Sequence, residues 1–259
     1  MTQFGSFADL SVELGDDFVA QVEIRRAPNN FFDQALIAAL ADAMTALDAE
    51  LRCRAVVLAS DGKHFCAGAN FGKRAPGMGD VGNSLYDEAV RLFATRTPVV
   101  AAVQGAAIGG GLGLALWPDF RVAAPEARFS ANFARLGFHH GFGLTVTLPR
   151  AVGPQRALEL LYTGERIDGA RAHAIGLADR LVPLARLRDE ARAFAAEIAA
   201  SGPLAITSIR ETMRGQLAGE IRAATQRERA EQERLQHTSD FKEGVAAMAE
   251  RRPPTFRGR

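Results

Sequence analysis

The sequence predicts an α/β fold that gives way to helices toward its C-terminus. Short, uninterrupted apolar runs, "AVVLAS" (55–60) and "PVVAAV" (98–103), read as strands buried on both faces. Apolar residues recur at helical spacing between such runs, so strands alternate with helices through the first half. From Pro154 onward the pattern is mostly helical.

Each element follows in order. "SVELGDDFVAQVEI" (11–24) alternates apolar and polar residues around a Gly-Asp-Asp turn and reads as a hairpin. "RRAPNNFF" (25–32) is a loop. Residues 33–51 place Leu36, Leu40, Met44, Leu47 and Leu51 at helical spacing behind Asp33, a suitable N-cap. The strand at 55–60 leads into "DGKHFCAGANFGKRAPGMGDVGNS" (61–84), a glycine-rich loop without a period, and a loop of that length is usually functional. Residues 85–94 read as a helix, 98–103 as a strand. "GAAIGGGLGLAL" (105–116) reads as a glycine turn opening a helix from about Gly110 to Pro118, and "FRVAA" (120–124) as a further strand. Helical segments follow at 154–164, 170–177, 187–201, 204–213 and 221–236. The chain divides softly into an α/β core, residues 1–195, and a helical region, 196–259, with no linker composition at the seam.

Composition excludes several classes. The 259 residues are 47% hydrophobic and 24% charged, enough for a sizeable core. A net charge of +1 gives no general attraction to nucleic acid or to a membrane surface. "QRERAEQERLQ" (226–236) alternates in sign and reads as a solvated helix or a subunit interface. Cys53 and Cys66 lack any metal-ligand spacing, so neither a zinc site nor a disulfide framework is expected. The N-terminus has no secretory signal pattern, and the expected location is the cytoplasm. Residues 99–117 carry no charge, but Gln104 and Gly109–Gly111 interrupt them; a buried strand, turn and helix suit them better than a membrane span.

Two small-residue loops, "HFCAGAN" and "QGAAIGGG", leave the carboxyl ends of buried strands, where α/β folds bind ligands. Two backbone N–H groups converging there would polarise a carbonyl and stabilise an oxyanion. The same glycines equally suit a tight turn or close helix–strand packing. No Gly-Lys-Ser/Thr follows, and the spacing is not that of a dinucleotide fold.

"HFCAGAN", "QGAAIGGGLGLAL", "ARFSANFARLGFHHGFGLTVTLPRAVG" and "TGERIDGARAHAIGLADRLVP" occur in this order. Together they resemble the crotonase, or enoyl-CoA hydratase/isomerase, superfamily, over nearly the whole chain. The resemblance implies a spiral of ββα units with a helical C-terminal trimerisation region, assembled as a homotrimer or a dimer of trimers. It implies an acyl-CoA thioester as substrate and no further cofactor. The thioester oxygen would meet the N–H groups of Ala69 and Gly110. Coenzyme A would lie along Arg26, Ala27, Asn29, Ala67 and Gly68. Arg257 matches a basic position that meets phosphates, and equally reads as a solvated tail charge.

The resemblance also implies where acids and bases should stand, and this sequence departs from it. The two hydratase glutamates fall at Gly113 and Phe133, and a third acidic position falls at Gly141. None of these transfers a proton, and losing a positioned acid or base typically costs ~10²–10⁴-fold in rate. Efficient two-glutamate hydration is therefore not expected. "GFHHGFG" (137–143) supplies the nearest titratable groups, His140 first and His139 second; each equally suits a loop histidine bonded to a backbone carbonyl. Asn70 shapes its loop, His64 reads as a surface residue and Cys66 as a small buried filler. One of Asp80, Tyr86, Asp87 and Glu88 is placed to reach the acyl pocket. Trp117, Phe133, Phe138 and Phe142 are candidate pocket walls, and each equally suits a plain core. Two functions remain open: an enzyme that stabilises a thioester enolate, or an inactive acyl-CoA-binding scaffold or sensor.

Overall fold

Side-chain alternation along the central strands decides which elements cover which face. The computed structural model describes residues 1–69 and 83–259. Its strands are β1 (Thr2–Gln3), β2 (Leu10–Leu14), β3 (Val19–Ile24), β4 (Ala55–Ser60), β5 (Val99–Val103), β6 (Ala106–Ile108), β7 (Phe120–Ala123), β8 (Arg128–Ser130), β9 (Ile167–Asp168) and β10 (Arg180–Leu181). The larger sheet has the order β1-β2-β3-β4-β5-β7-β10, and the smaller β6-β8-β9. β1, β2 and β3 pair antiparallel; from β3 to β10 every neighbour in the larger sheet is parallel.

β4 is buried along its whole length. Val56 and Leu58 join one apolar cluster, while Ala55, Val57 and Ala59 join another on the opposite face. β5 divides in the same way, Val99, Ala101 and Val103 against Val100 and Ala102. Helices must therefore cover both faces, as parallel sheets require. On the first lies α1 (Gln34–Ala49), which buries Leu36, Ile37, Leu40, Met44 and Leu47. Asp33 caps it, its carboxylate accepting the Leu36 N–H at 2.9 Å. Leu51, expected on the same stripe, lies beyond the helix end and is 94% exposed, because Glu50 has turned extended.

After α2 (Asn83–Phe93) and α3 (Gly110–Leu116), α4 (Leu144–Val152), α5 (Pro154–Thr163), α6 (Gly169–Ala174), α7 (Leu187–Ala199), α8 (Pro203–Arg214) and α9 (Leu217–Leu235) lead to α10 (Ser239–Glu250). α7 covers the second sheet face with Leu187, Ala191, Ala195 and Ala199 and so runs across the seam expected at 195/196. α9 buries Ile221, Thr225, Glu228 and Gln232, packing against α2 and α4.

The sequence did not signal β6, α4 or α10. β6 lies within the stretch expected as a glycine turn. Its three residues are too few for a period, and it exists by pairing with β8 in register Ala106↔Arg128. The uncharged stretch 99–117 is β5, β6 and α3, and among the described residues no helix is long and apolar enough to cross a membrane.

Candidate active site

The loops after β4 and β5 are bound to one another. Cys66 N–H donates to the Ala106 carbonyl at 2.8 Å, and Ile108 N–H donates to the Cys66 carbonyl at 3.1 Å. Gly111 sits where any β-carbon would overlap the Cys66 carbonyl, so one role of the glycine triplet is to let the two loops touch. Gly68 lies at φ +87°, a conformation side chains rarely take, and a β-carbon there would stand 2.8 Å from the Ile108 carbonyl oxygen. The 26–30 loop joins them through buried Asn30, whose Nδ2 donates to the carbonyls of Asp61 and His64, each at 2.7 Å. Ala67 N–H donates to the Asn29 carbonyl at 2.9 Å.

These loops border a cavity of about 870 Å³, within the range of small-molecule sites. Ala67, Gly68, Ala69, Ile108, Gly109 and Gly110 line it. Among the described residues, the N–H groups of Ala69 and Gly110 have no hydrogen-bond partner. Phe133, Phe138 and Phe142 also line the cavity, joined by Phe32, Leu85 and Leu136. Trp117 does not: it is fully buried, its indole N–H donating to the Leu92 carbonyl at 2.8 Å. Residue type alone does not tell a wall aromatic from a core one.

The spaces beside Gly113 and Gly141 are occupied. A β-carbon on Gly113 would fall 2.8 Å from Cβ of Phe142. At Gly141 a β-carbon would overlap the Tyr86 hydroxyl and lie 2.6 Å from Gln232 Nε2. Tyr86 donates to Gln232 Oε1 at 2.7 Å, and Gln232 Nε2 donates to the His139 carbonyl at 3.0 Å. Sequence reasoning raised Tyr86 but missed Gln232, which lies 146 residues away and arrives only because α9 packs on α2.

His139 and His140 stand outside this lining. His140 Nε2 lies 2.9 Å from Thr145 Oγ1, which donates to Glu228 Oε1 at 2.6 Å, so the imidazole N–H donates to the threonine. Burial and the adjacent His139 push the His140 ring down to about 4. The two rings stack with centroids 4.2 Å apart, and His139 Nδ1 faces the His140 carbonyl at 2.7 Å. Glu228, fully buried, also accepts the N–H groups of Gly143 (2.9 Å) and Thr145 (3.0 Å) at the start of α4. Sequence gave no sign of this carboxylate.

Cys66 is fully buried and its thiol is pushed up to about 12 by that burial, so it is no thiolate nucleophile at neutral pH. His64 lines the cavity rather than standing apart on the surface, and its Nδ1 accepts the Ala106 N–H at 3.3 Å. Burial and Lys63 lower its pKa. Arg26 is held by Asp9 and Asp33 at 2.7 and 2.8 Å. Arg26, Ala27, Asn29 and Arg257 do not line the cavity, whereas the exposed cations Lys63, Arg128 and Arg166 do. Glu88 pairs with Arg91, and Asp87 is exposed. Asn70 and Asp80 lie outside the described residues.

The family model "Enoyl-CoA hydratase/isomerase" matches residues 15–259. A Bacillus subtilis protein named "Probable enoyl-CoA hydratase" is 30% identical over 249 residues, covering 94% of this chain and 96% of that one. Carnitinyl-CoA dehydratase of Proteus mirabilis is 33% identical over 212 residues, covering 79% and 81%. The crystal structure of an enoyl-CoA hydratase/isomerase from Pseudoalteromonas atlantica T6c superimposes with a TM-score of 0.86 at 30% identity, covering 96% of this chain and all of that one. An enoyl-CoA hydratase from Mycobacterium avium subsp. paratuberculosis gives 0.84 at 29% identity, over 97% of this chain and 100% of its own. The chain belongs to the enoyl-CoA hydratase/isomerase family, and its fold is that of the crotonase superfamily.

Proposed function

We propose that this chain binds an acyl-CoA thioester in the aromatic-lined cavity and stabilises its enolate with the N–H groups of Ala69 and Gly110. The observation that carries the reading is that both N–H groups lack partners among the described residues and both residues border one cavity. Fixed donors aimed at a developing oxyanion lower the barrier to α-proton removal without reorganising. Lys63, Arg128 and Arg166, exposed along the same cavity, suit the phosphates of coenzyme A. Exposed Leu204, Ile209 and Met213 on α8 support self-association through the helical region.

The reaction is not two-glutamate hydration. Gly113, Phe133 and Gly141 bring no carboxylate, and the spaces beside Gly113 and Gly141 are taken by Phe142, Tyr86 and Gln232. The same filled spaces favour a second reading, an acyl-CoA-binding module without turnover. Infrared spectroscopy of a bound thioester labelled with ¹³C at its carbonyl tests the shared part. A stretch lowered from its solution frequency is expected; an unshifted band in a saturated complex refutes the oxyanion site. Incubation in D₂O then separates the two readings: α-proton exchange supports the enzyme, and binding without exchange the module.

A further inference from the structure

We propose that Tyr86 and Gln232 form a neutral hydrogen-bonding subsite for an oxygen substituent on a cyclic or aromatic acyl group. This rests on the acyl-CoA reading above and narrows its substrate class.

Both side chains are buried, with 6% and 5% of their surfaces exposed, and both line the cavity beside Gly141. Their bonding is directional. The His139 carbonyl only accepts, so the Gln232 amide nitrogen faces it. The amide oxygen then faces Tyr86, whose hydroxyl proton is committed to it. One hydrogen of Gln232 Nε2 is left over and has no partner among the described residues. The surroundings are apolar: Phe32, Phe133, Phe138, Phe142, Leu85 and Leu136.

A polar pair set in such walls discriminates. A purely hydrocarbon ligand displaces water and leaves the spare amide hydrogen unmatched, a cost specific to that ligand. An oxygen substituent matches it. The substituent is uncharged, because the cations on the cavity wall, Lys63, Arg128 and Arg166, are exposed ones, and a buried anion without a counter-charge is expensive. The group is cyclic because the aromatic walls are tilted against one another: Phe32 and Phe142 have centroids 5.5 Å apart at 59°. Edges and faces of that kind suit a flat ring.

Calorimetric titration with phenylacetyl-CoA, which has α-hydrogens, and its three ring-hydroxylated isomers tests the subsite on the full chain. At least one isomer is expected to bind ~5–10-fold more tightly than phenylacetyl-CoA. In Gln232→Met, which lacks the spare amide hydrogen, that advantage falls to twofold or less, while phenylacetyl-CoA affinity stays within about threefold, which shows that the variant is folded. Tyr86→Phe keeps the Gln232–His139 bond and the spare hydrogen, so the preference persists in it. The subsite is overturned if no isomer exceeds phenylacetyl-CoA, if the preference survives in Gln232→Met, or if it vanishes in Tyr86→Phe. Failure of phenylacetyl-CoA and all three isomers to bind the wild-type protein overturns the acyl-CoA reading itself.

Discussion

Phe142 fills the space into which a side chain at position 113 would project. A β-carbon built on Gly113 lies 2.8 Å from its Cβ and 2.9 Å from its Cδ1. Phe142 reaches there from a backbone at φ +60°, and its ring packs at 5.5 Å from Phe32 and 6.4 Å from Phe93. A side chain at 113 and the side chain of Phe142 therefore compete for one space. Restoring an acid at 113 would require displacing an aromatic wall.

Gly113→Ala should accordingly destabilise the fold by ~1–3 kcal/mol, the usual range for overpacking. Denaturant unfolding of Gly113→Ala, Phe142→Gly and the double variant measures this directly. The double variant should lose less than the sum of the two, since removing the Phe142 side chain makes room for the new β-carbon at 113. Strict additivity would mean that the two positions do not meet.

Stability should depend on pH through His140. In the unfolded chain its imidazole takes a proton near pH ~6.5, whereas in the folded chain burial and His139 delay this to about 4. The unfolded state thus binds more protons across that window, and stability rises with pH through it. The contribution is complete above the unfolded value and is lost as pH falls toward 4, on the order of 1–3 kcal/mol in all. His140→Asn should flatten the profile between these limits and leave the slope above pH ~7 unchanged. An unchanged profile in the variant would show that another group titrates there.

Glu228 should matter more for stability than its place on a charged helix suggests. Its carboxylate receives Gly143 N–H, Thr145 N–H and the Thr145 hydroxyl, capping α4 from a distant helix. Glu228→Ala leaves the buried Gly143 N–H unmatched and takes the acceptor from both Thr145 donors, at a cost of ~1–3 kcal/mol. Glu228→Gln keeps one acceptor and should lose about half as much. Amide hydrogen exchange at Gly143 and Thr145 should quicken in both variants. Equal stability of the wild-type protein and Glu228→Ala would remove the capping role.

The central strands were legible because β4 and β5 are buried on both faces and so carry unbroken apolar runs. α1 was legible from its stripe and from Asp33, which caps it as expected. The order of the four family motifs was likewise in the sequence, and with it the fold. Local patterns of this kind are fixed by neighbours a few residues apart, so a linear reading recovers them.

Tertiary structure alone decided what stands beside Gly113 and Gly141. Nothing near Gly113 announces the ring of Phe142, and nothing near Gly141 announces Tyr86 and Gln232. It also turned His140 toward Thr145 and Glu228, sent Trp117 into the core and brought Lys63, Arg128 and Arg166 to one rim. Each of these depends on contacts between residues far apart in the chain. Which way a side chain faces is set by the packing of whole elements, and packing leaves no period in the sequence to read.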